Sequence, residues 1–214
     1  MIHAYDKTYL EKARTALGRM FDFAVYDLNY NLTQFFDLFL VSGVAEQFEQ
    51  GSFLVLVGKS GVELAYEVLE RTTGETKRIK PRYTADRSEE YWTGWALAYY
   101  QWATSLRFAE IVKYIPIRDI QALYSPYHEM DIRQFVDKMN HMYLAAKPET
   151  NLKLLRHQAG LTQKQLADLT GIPLRTIQQY EQRRKNINKT QAEYLILLAR
   201  ALNCDAEALL ERVE

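Results

Sequence analysis

Apolar residues recur every three or four positions along most of the chain, which is the period of an amphipathic helix. Within residues 1–147 the pattern predicts helices near 7–22, 29–40, 61–71, 88–104, 106–115, 117–124 and 131–146. Ser60 and Glu63 have the spacing of a capping box, and Ser88 precedes a further apolar run as an N-cap would. The whole chain is therefore expected to be all-α.

A change in aromatic content divides the chain after residue 147. Of the 27 Phe, Trp and Tyr residues, only Tyr180 and Tyr194 follow that position. Two cores of such different composition indicate two domains, residues 1–147 and 148–214. Pro148 suits the first turn of the helix that opens the second domain.

Five short helices are expected in the second domain. Thr162 and Gln165 form one predicted capping box, and Thr190 and Glu193 form another. Asp205 is predicted to cap the last helix. These caps place helix starts at fixed positions in a stretch that is otherwise strongly polar.

Two of these helices meet at Gly171, which tolerates the positive φ of a sharp turn. The predicted buried side chains of the two helices are Leu166, Ala167, Leu169, Ile177 and Tyr180. Two short helices joined in this way, inside a small helical domain, form a helix-turn-helix.

Positive charge is concentrated around the same stretch. Residues 151–190 carry eight Lys or Arg against two acids, a net charge of +6, whereas residues 1–150 and 191–214 each sum to −3. A local excess of this size is typical of a surface that faces phosphate. A solvated helical face is the alternative.

The stretch LTQKQLADLTGIPLRTIQQYE resembles the phage repressor/Cro-type (XRE) helix-turn-helix family. The family pattern is T-Q-x-x-L-A and then, about eight residues later, x-T-I-x-x-[WYL]-E, and the resemblance extends over about residues 150–211. It implies a five-helix, Cro/repressor-like domain that binds a palindromic operator in double-stranded DNA as a homodimer, with the third helix in the major groove.

The resemblance also implies roles for individual residues. DNA contacts are implied at Gln163, Leu174, Arg175, Thr176, Gln178, Gln179, Arg183, Arg184, Lys185, Asn186, Asn188 and Lys189. Arg and Gln on the third helix would pair with base edges, whereas the basic loop after it would position the protein on phosphates. Gln163 would bond a phosphate and also brace the third helix. Arg156 and Glu181 match positions that form a structural ion pair.

Two positions depart from the family pattern. Pro173 replaces the usual Ser or Thr that caps the third helix, so an N-cap hydrogen bond worth about 1 kcal/mol is missing. Arg183 stands where Gly is common, so the loop either leaves the helix differently or holds Arg183 at an unfavourable φ.

One predicted helix of the first domain carries large aromatic residues on one face. These are Trp92, Trp95, Tyr99 and Trp102. Core packing is one interpretation, and a groove that binds a partner protein or a ligand is the other, because Trp and Tyr are favoured anchors at interfaces.

Patterns for other chemistry are absent. The Walker pattern requires Gly five positions before Gly58, and Phe53 stands there. The four histidines have no metal-ligand spacing, and His128 beside Glu129 is expected in a surface loop. Cys204 has no neighbouring base and is expected to pack as a small apolar residue. Neither a cofactor, a metal site nor an enzymatic activity is expected.

The function indicated is a DNA-binding transcription regulator. Residues 5–145 weakly resemble helical domains fused to such DNA-binding modules beside toxin genes in bacteria, which implies an antitoxin that neutralises a partner toxin and represses its own operon. A ligand- or phage-responsive repressor without a toxin is the alternative, and an enzyme fused to a DNA-targeting module is a third. Without an apolar run of 18 residues or a signal core, we expect a cytoplasmic protein and no membrane span.

Overall fold

The computed structural model describes residues 3–75, 77–82 and 87–211. Within these ranges the chain forms α-helices and short 3-10 helices, with no β-strand. The all-α prediction is confirmed. The contacts divide the chain into two compact units, residues 1–147 (unit 1) and 148–214 (unit 2).

Unit 1 is built from helices of very different lengths. Its described α-helices are Leu10–Tyr26 (α1), Leu32–Val41 (α2), Val44–Glu49 (α3), Phe53–Leu56 (α4), Gly61–Thr73 (α5), Glu89–Thr104 (α6), Phe108–Tyr114 (α7), Ile117–Gln121 (α8), Tyr124–Tyr127 (α9) and Ile132–Ala146 (α10). The seven predicted segments are confirmed to within a few residues. The sequence pattern does not predict α3, α4 and α9, because these helices are too short to show a helical period.

The starts of α5 and α6 follow the predicted caps. The Ser60 hydroxyl accepts a hydrogen bond from the Glu63 amide, and the Glu63 carboxylate accepts one from the Ser60 amide at 2.8 Å. The Ser88 hydroxyl likewise accepts from the Tyr91 amide at 3.0 Å. These caps satisfy amides that the first helical turn leaves without a partner.

Helix α1 packs closely against α5 and α6 because two glycines allow the backbones to approach. A Cβ on Gly94 of α6 would lie 2.6 Å from the carbonyl oxygen of Leu17. A Cβ on Gly61 of α5 would collide with the carbonyl oxygen of Ala16. Any side chain at either glycine would therefore push a helix away from α1.

Phenylalanine fills the space around these helices. Phe21 of α1 meets Phe36 edge to face, with ring centroids 5.7 Å apart, and Phe39 meets Phe108 in the same way at 5.4 Å. All four rings are buried. Edge-to-face pairs of this kind add to the energy of burial, so much of the aromatic content of unit 1 is core.

Unit 2 contains the α-helices Asn151–Gln158 (α11), Gln163–Thr170 (α12), Leu174–Glu181 (α13) and Ala192–Leu202 (α14). Two 3-10 turns complete it, Ile187–Lys189 and Ala206–Leu209, so the fifth expected helix is a 3-10 helix. The most deeply buried side chains of the unit are Leu152, Leu166, Ile172, Ile177, Leu198 and Leu209.

Two predicted helix starts in unit 2 are wrong. Pro148 lies before α11, whose N-cap is Thr150, because the Thr150 hydroxyl accepts a hydrogen bond from the backbone. The capping box predicted at Thr190 is absent, since α14 begins after Gln191 without a side-chain cap. Thr190 instead shares a 2.7 Å hydrogen bond with the Tyr180 hydroxyl.

Two smaller predictions also fail. Leu169 is 64% exposed rather than buried. The buried position in that turn belongs to Thr170, whose hydroxyl donates to the carbonyl of Leu166 and so satisfies its polar group inside the core. Asp205 stands at the N-cap of the last turn but its carboxylate makes no capping hydrogen bond.

Candidate nucleic-acid interface

Helices α12 and α13 are joined by a tight turn at Gly171. The capping box predicted for α12 is confirmed: the Thr162 hydroxyl accepts from the Gln165 amide at 3.2 Å, and the Gln165 side chain accepts from the Thr162 amide at 2.8 Å. Gly171 ends α12 with φ at +70°, and no atom lies within 4 Å of where its Cβ would be. Conformation alone, rather than space, favours glycine here.

A buried ion pair locks α11 to α13. Arg156 donates from Nε to Oε1 of Glu181 at 2.6 Å and from Nη2 to Oε2 at 2.9 Å, while Nη1 donates to the Leu161 carbonyl at 2.7 Å. The two side chains are nearly inaccessible to solvent. The hydrogen bonds to Glu181 raise the pKa of the Arg156 guanidinium above its usual value, so this cation stays charged in the folded state.

Gln163 joins the same network. Its side-chain amide donates to Oε2 of Glu181 at 2.7 Å, so the first residue of α12 is fixed against the last residue of α13. The Glu181 carboxylate thus accepts hydrogen bonds from two different helices. Gln163 is partly exposed, and its side-chain amide has a second hydrogen that this bond does not use.

The outer side of α13 is an open, polar surface. A depression of about 560 Å³ lies along it, and we call its lining residues the helix face: Leu174, Arg175, Gln178, Gln179, Gln182 and Arg184. Gln182 was missed by the sequence analysis. Its spacing of four residues from Gln178 would have identified it, since such residues share one side of a helix.

A second depression of about 420 Å³ borders the loop after α13. We call its lining residues the loop face: Thr176, Tyr180, Lys185, Asn186, Lys189, Thr190, Gln191 and Tyr194. Lys185, Asn186 and Lys189 are exposed. The depression therefore combines two cations with amide and hydroxyl groups, which is chemistry that suits phosphate oxygens.

Two of the expected loop contacts have other partners. Arg183 donates to the Glu211 carboxylate at 3.1 Å, and Asn188 exchanges two hydrogen bonds with the backbone of Glu211. Neither residue lines the helix face or the loop face. Their side chains hold the loop to the end of unit 2, and we leave both out of the residues proposed below to contact DNA.

Both departures from the family pattern have visible consequences. Pro173 is the N-cap residue of α13 and makes no capping hydrogen bond, because its side chain has no polar atom. Arg183 adopts φ of +54°, a left-handed conformation that costs an ordinary residue about 1–2 kcal/mol. The ion pair between the Arg183 side chain and Glu211 helps to hold Arg183 in this conformation.

Residues 152–209 match the helix-turn-helix family model. Unit 2 contains a helix-turn-helix domain. The match supports a DNA-binding regulator of transcription, and it covers no part of unit 1. No curated protein and no solved structure gives a significant match to the chain.

Outside the helix-turn-helix domain, the aromatic face predicted on α6 is mostly covered. Trp92 and Trp102 are buried, with Trp92 packed edge to face on Phe135. Trp95 and Tyr99 are partly exposed, and the Arg14 guanidinium lies over the Trp95 ring at 3.3 Å. As a set the four side chains do not form an open groove, because half of them belong to the interior of unit 1.

The described residues contain no cluster of His, Cys, Asp or Glu that could hold a metal ion, and none of their helices has the length and hydropathy of a membrane span. His128 stacks on Tyr124 and lies 3.6 Å from the exposed Glu129. Burial raises the pKa of the Cys204 thiol, so it is a poor nucleophile at neutral pH.

Proposed function

We propose that the helix-turn-helix domain binds a specific sequence in double-stranded DNA by inserting the helix face of α13 into the major groove. The observation that carries the proposal is the clustering of Arg175, Gln178 and Gln179 on one open surface beside a cationic loop. Behind that surface, Ile177 and Tyr180 fix the helix in the core. A rigid helix with a polar outer edge is what groove binding requires.

The side chains of the helix face suit base recognition. Arg175 can donate two hydrogen bonds to the O6 and N7 atoms of guanine, and Gln178 or Gln179 can pair with N6 and N7 of adenine. Leu174 is 37% exposed and offers an apolar contact for a thymine methyl group. These contacts would distinguish one DNA sequence from another.

The loop face and the start of α12 suit the sugar-phosphate backbone. Arg184 borders the helix face, and Lys185, Asn186 and Lys189 follow it along the loop. Gln163 adds an amide hydrogen at the first turn of α12. Contacts of this kind set the register of the protein on the duplex without reading its sequence.

The regulatory mode we propose is repression by a homodimer. Two copies of the helix-turn-helix domain would occupy half-sites about 34 Å apart, one turn of DNA, on a palindromic operator. Binding there would exclude other proteins from the promoter. This geometry makes the spacing of the half-sites a direct test of dimeric binding.

For unit 1 we propose the binding of a partner protein, in the manner of an antitoxin that represses its own operon. Phe53 and Leu54 support a surface role better than Trp92 and Trp102, since they are 58% and 65% exposed and adjacent on α4. Purification from the native host with wild-type chain and with the Phe53→Ser, Leu54→Ser variant tests this. A stoichiometric partner lost in the variant supports the role, and a wild-type preparation without a partner contradicts it.

A matched pair of arginine variants tests DNA recognition. Arg175→Ala should lower affinity for the preferred duplex by about 1–3 kcal/mol and leave affinity for random duplex nearly unchanged. Arg200→Ala removes an equally exposed arginine from the end of α14 and should change neither. Fluorescence anisotropy with labelled duplexes measures both affinities. Equal losses in the two variants would contradict the assignment of α13.

A further inference from the structure

Unit 1 contains a dense run of positive charge outside its helices. Residues 77–82 read KRIKPR, which places four cations in six residues without an acid. All six residues are exposed, and none belongs to a helix. We call residues 77–82 the basic segment. Because acids elsewhere outnumber bases, the net charge of residues 1–150 conceals it.

The backbone of the basic segment is anchored at two points. The Tyr66 hydroxyl accepts a hydrogen bond from the Ile79 amide at 2.7 Å and lies 3.1 Å from the Ile79 carbonyl, to which it donates. Three residues later, the Arg82 amide donates to Asp27 at 2.7 Å, and Arg19 donates to the Arg82 carbonyl at 2.9 Å.

The anchoring groups are themselves fixed in unit 1. Tyr66 and Asp27 are buried, and Asp27 belongs to the turn that ends α1. Buried polar groups require partners, and these two find them in the backbone of the segment. The anchors therefore hold the segment in place while using none of its cationic side chains.

The cations of the segment are left for an external ligand. Among the described residues, no carboxylate lies within ion-pair distance of Lys77, Arg78, Lys80 or Arg82. Arg78 lies over the Tyr66 ring at 5.2 Å. The pKa of the Glu63 carboxyl is lowered chiefly by hydrogen bonds from Ser60 and further by Arg78, but Glu63 and Arg78 form no ion pair. Because the backbone of the segment is already held, binding an anion has to order only its side chains.

The spacing of the cations suits a row of phosphates. Pro81 disfavours a helical conformation at Lys80, so this part of the chain favours an extended backbone. In an extended chain, Arg78, Lys80 and Arg82 project to one side at intervals of about 6.6 Å. Each DNA strand carries one phosphate per about 3.4 Å of axis on a path that winds around it, so successive phosphates are about 7 Å apart and match one interval.

We propose that the basic segment binds the phosphate backbone of double-stranded DNA, as a contact separate from those of the helix-turn-helix domain. This rests on the proposed function, which brings the chain to DNA. A ligand with regularly spaced negative charges satisfies several fixed cations together, whereas one carboxylate would satisfy one. The contact adds affinity without sequence preference, because it reaches phosphates and no base edges.

A pair of charge-matched variants of the full chain tests the proposal. The segment variant is K77Q/R78Q/K80Q/R82Q, and it leaves the anchors intact because they bind backbone atoms. The scattered variant is K7Q/K12Q/R118Q/K138Q, which removes four exposed cations from three separate parts of unit 1. Both variants lose four positive charges, so a general change in electrostatic attraction affects them equally.

The measurement is affinity for preferred and random duplexes at several salt concentrations. Each phosphate contact contributes about 0.9 to the slope of log affinity against log salt. The segment variant should lose about 2–4 from this slope on both duplexes and keep the ratio between them. The scattered variant should keep the wild-type slope. Far-UV circular dichroism checks that each variant is folded.

The outcomes separate this proposal from the proposed function. If log affinity depends on log salt with the same slope in the segment and scattered variants, the basic segment is not a DNA contact. An acidic protein is then its ligand. If Arg175→Ala still reduces the preference for the selected duplex in that case, the proposed function stands. Absence of duplex binding by the wild-type chain overturns both proposals.

Discussion

Arg183 and Glu211 form an ion pair, with Nη2 of Arg183 3.1 Å from Oε2 of Glu211. The other carboxylate oxygen accepts a hydrogen bond from the Asn151 amide at 2.9 Å, and the Glu211 backbone is bonded to Asn188. Glu211 therefore joins the start of α11, the loop after α13 and the end of unit 2. Arg183 has a structural role, although it belongs to the most basic part of the sequence.

Adjacent arginines should consequently differ in their effect on DNA binding. Arg184→Gln removes a cation from the helix face and should reduce the slope of log affinity against log salt by about 0.9. Arg183→Gln removes the same charge from the ion pair with Glu211 and should leave the slope unchanged. Salt titrations of both variants on one duplex measure the difference, and a larger slope change for Arg183 would contradict these assignments.

The buried pair Arg156–Glu181 should be essential to the stability of unit 2. Glu181→Ala leaves the Arg156 guanidinium buried without its partner and removes the acceptor of Gln163, which should cost about 3–5 kcal/mol. Replacing both charges together, as in R156M/E181M, leaves no unpaired charge and should recover much of that loss. Urea unfolding followed by circular dichroism measures both variants.

Tryptophan fluorescence provides a control in the same experiment, because all three Trp residues belong to unit 1. The Glu181→Ala variant should lose helical signal at lower urea while the folded-state Trp spectrum stays that of the wild type. A double variant less stable than the single one would show that the charges themselves, rather than their pairing, stabilise the domain.

Glu49 should give unit 1 a pH-dependent stability. Burial raises the pKa of the Glu49 carboxyl, opposed by the hydrogen bond that this carboxyl accepts from the Phe108 amide. The folded-state pKa of Glu49 therefore lies above the unfolded value of about 4.3. Protonated Glu49 stabilises the folded state below the unfolded pKa, and this stabilisation is lost as the pH rises through the folded pKa.

The Glu49→Gln variant should therefore be more stable than the wild type at pH 7. The Gln side chain keeps an acceptor for the Phe108 amide and cannot ionise. The difference should shrink at pH 4, which is below the unfolded pKa of about 4.3, because the wild-type carboxyl is then increasingly protonated. Thermal unfolding at both pH values tests this, with Glu70→Gln as an exposed control. A variant less stable at pH 7 would show that the negative charge itself is needed.

Gly94 should tolerate no side chain. Gly94→Ala places a methyl group 2.6 Å from the Leu17 carbonyl oxygen, a separation that requires α1 and α6 to move apart. Overpacking of this kind costs about 1–3 kcal/mol, although Ala favours helix by up to about 1 kcal/mol. We expect a lower melting temperature with the Trp fluorescence of unit 1 altered. An unchanged melting temperature would mean that the helices adjust freely.

Local features of the fold are predictable from sequence, and features set by distant contacts are not. The capping boxes at Ser60 and Thr162 depend on residues three positions apart, so the sequence is sufficient. Arg183 binds Glu211, 28 positions away, and neither its charge nor its place after the third helix in the family pattern identifies that partner. In the same way, the spacing of Trp92 and Trp102 predicts that they share one side of a helix. It does not predict which neighbouring elements bury that side.

The basic segment shows a different limitation. Its four cations are visible in the sequence, but summing charge over residues 1–150 gives −3 and removes the signal. What distinguishes the segment is the anchoring of its backbone by Tyr66 and Asp27, two side chains from separate helical regions. Such an arrangement appears only when the fold brings these elements together.

We propose that α13 reads the sequence of double-stranded DNA. Selection of duplexes from a randomised pool by the chain of residues 1–214 tests this claim, with Arg175→Ala and Arg200→Ala selected in parallel. We predict an enriched inverted repeat with half-sites about 34 Å apart, retained by Arg200→Ala and altered at a guanine position by Arg175→Ala. A pool that stays random with the wild-type chain, or the same motif from all three proteins, would contradict the claim.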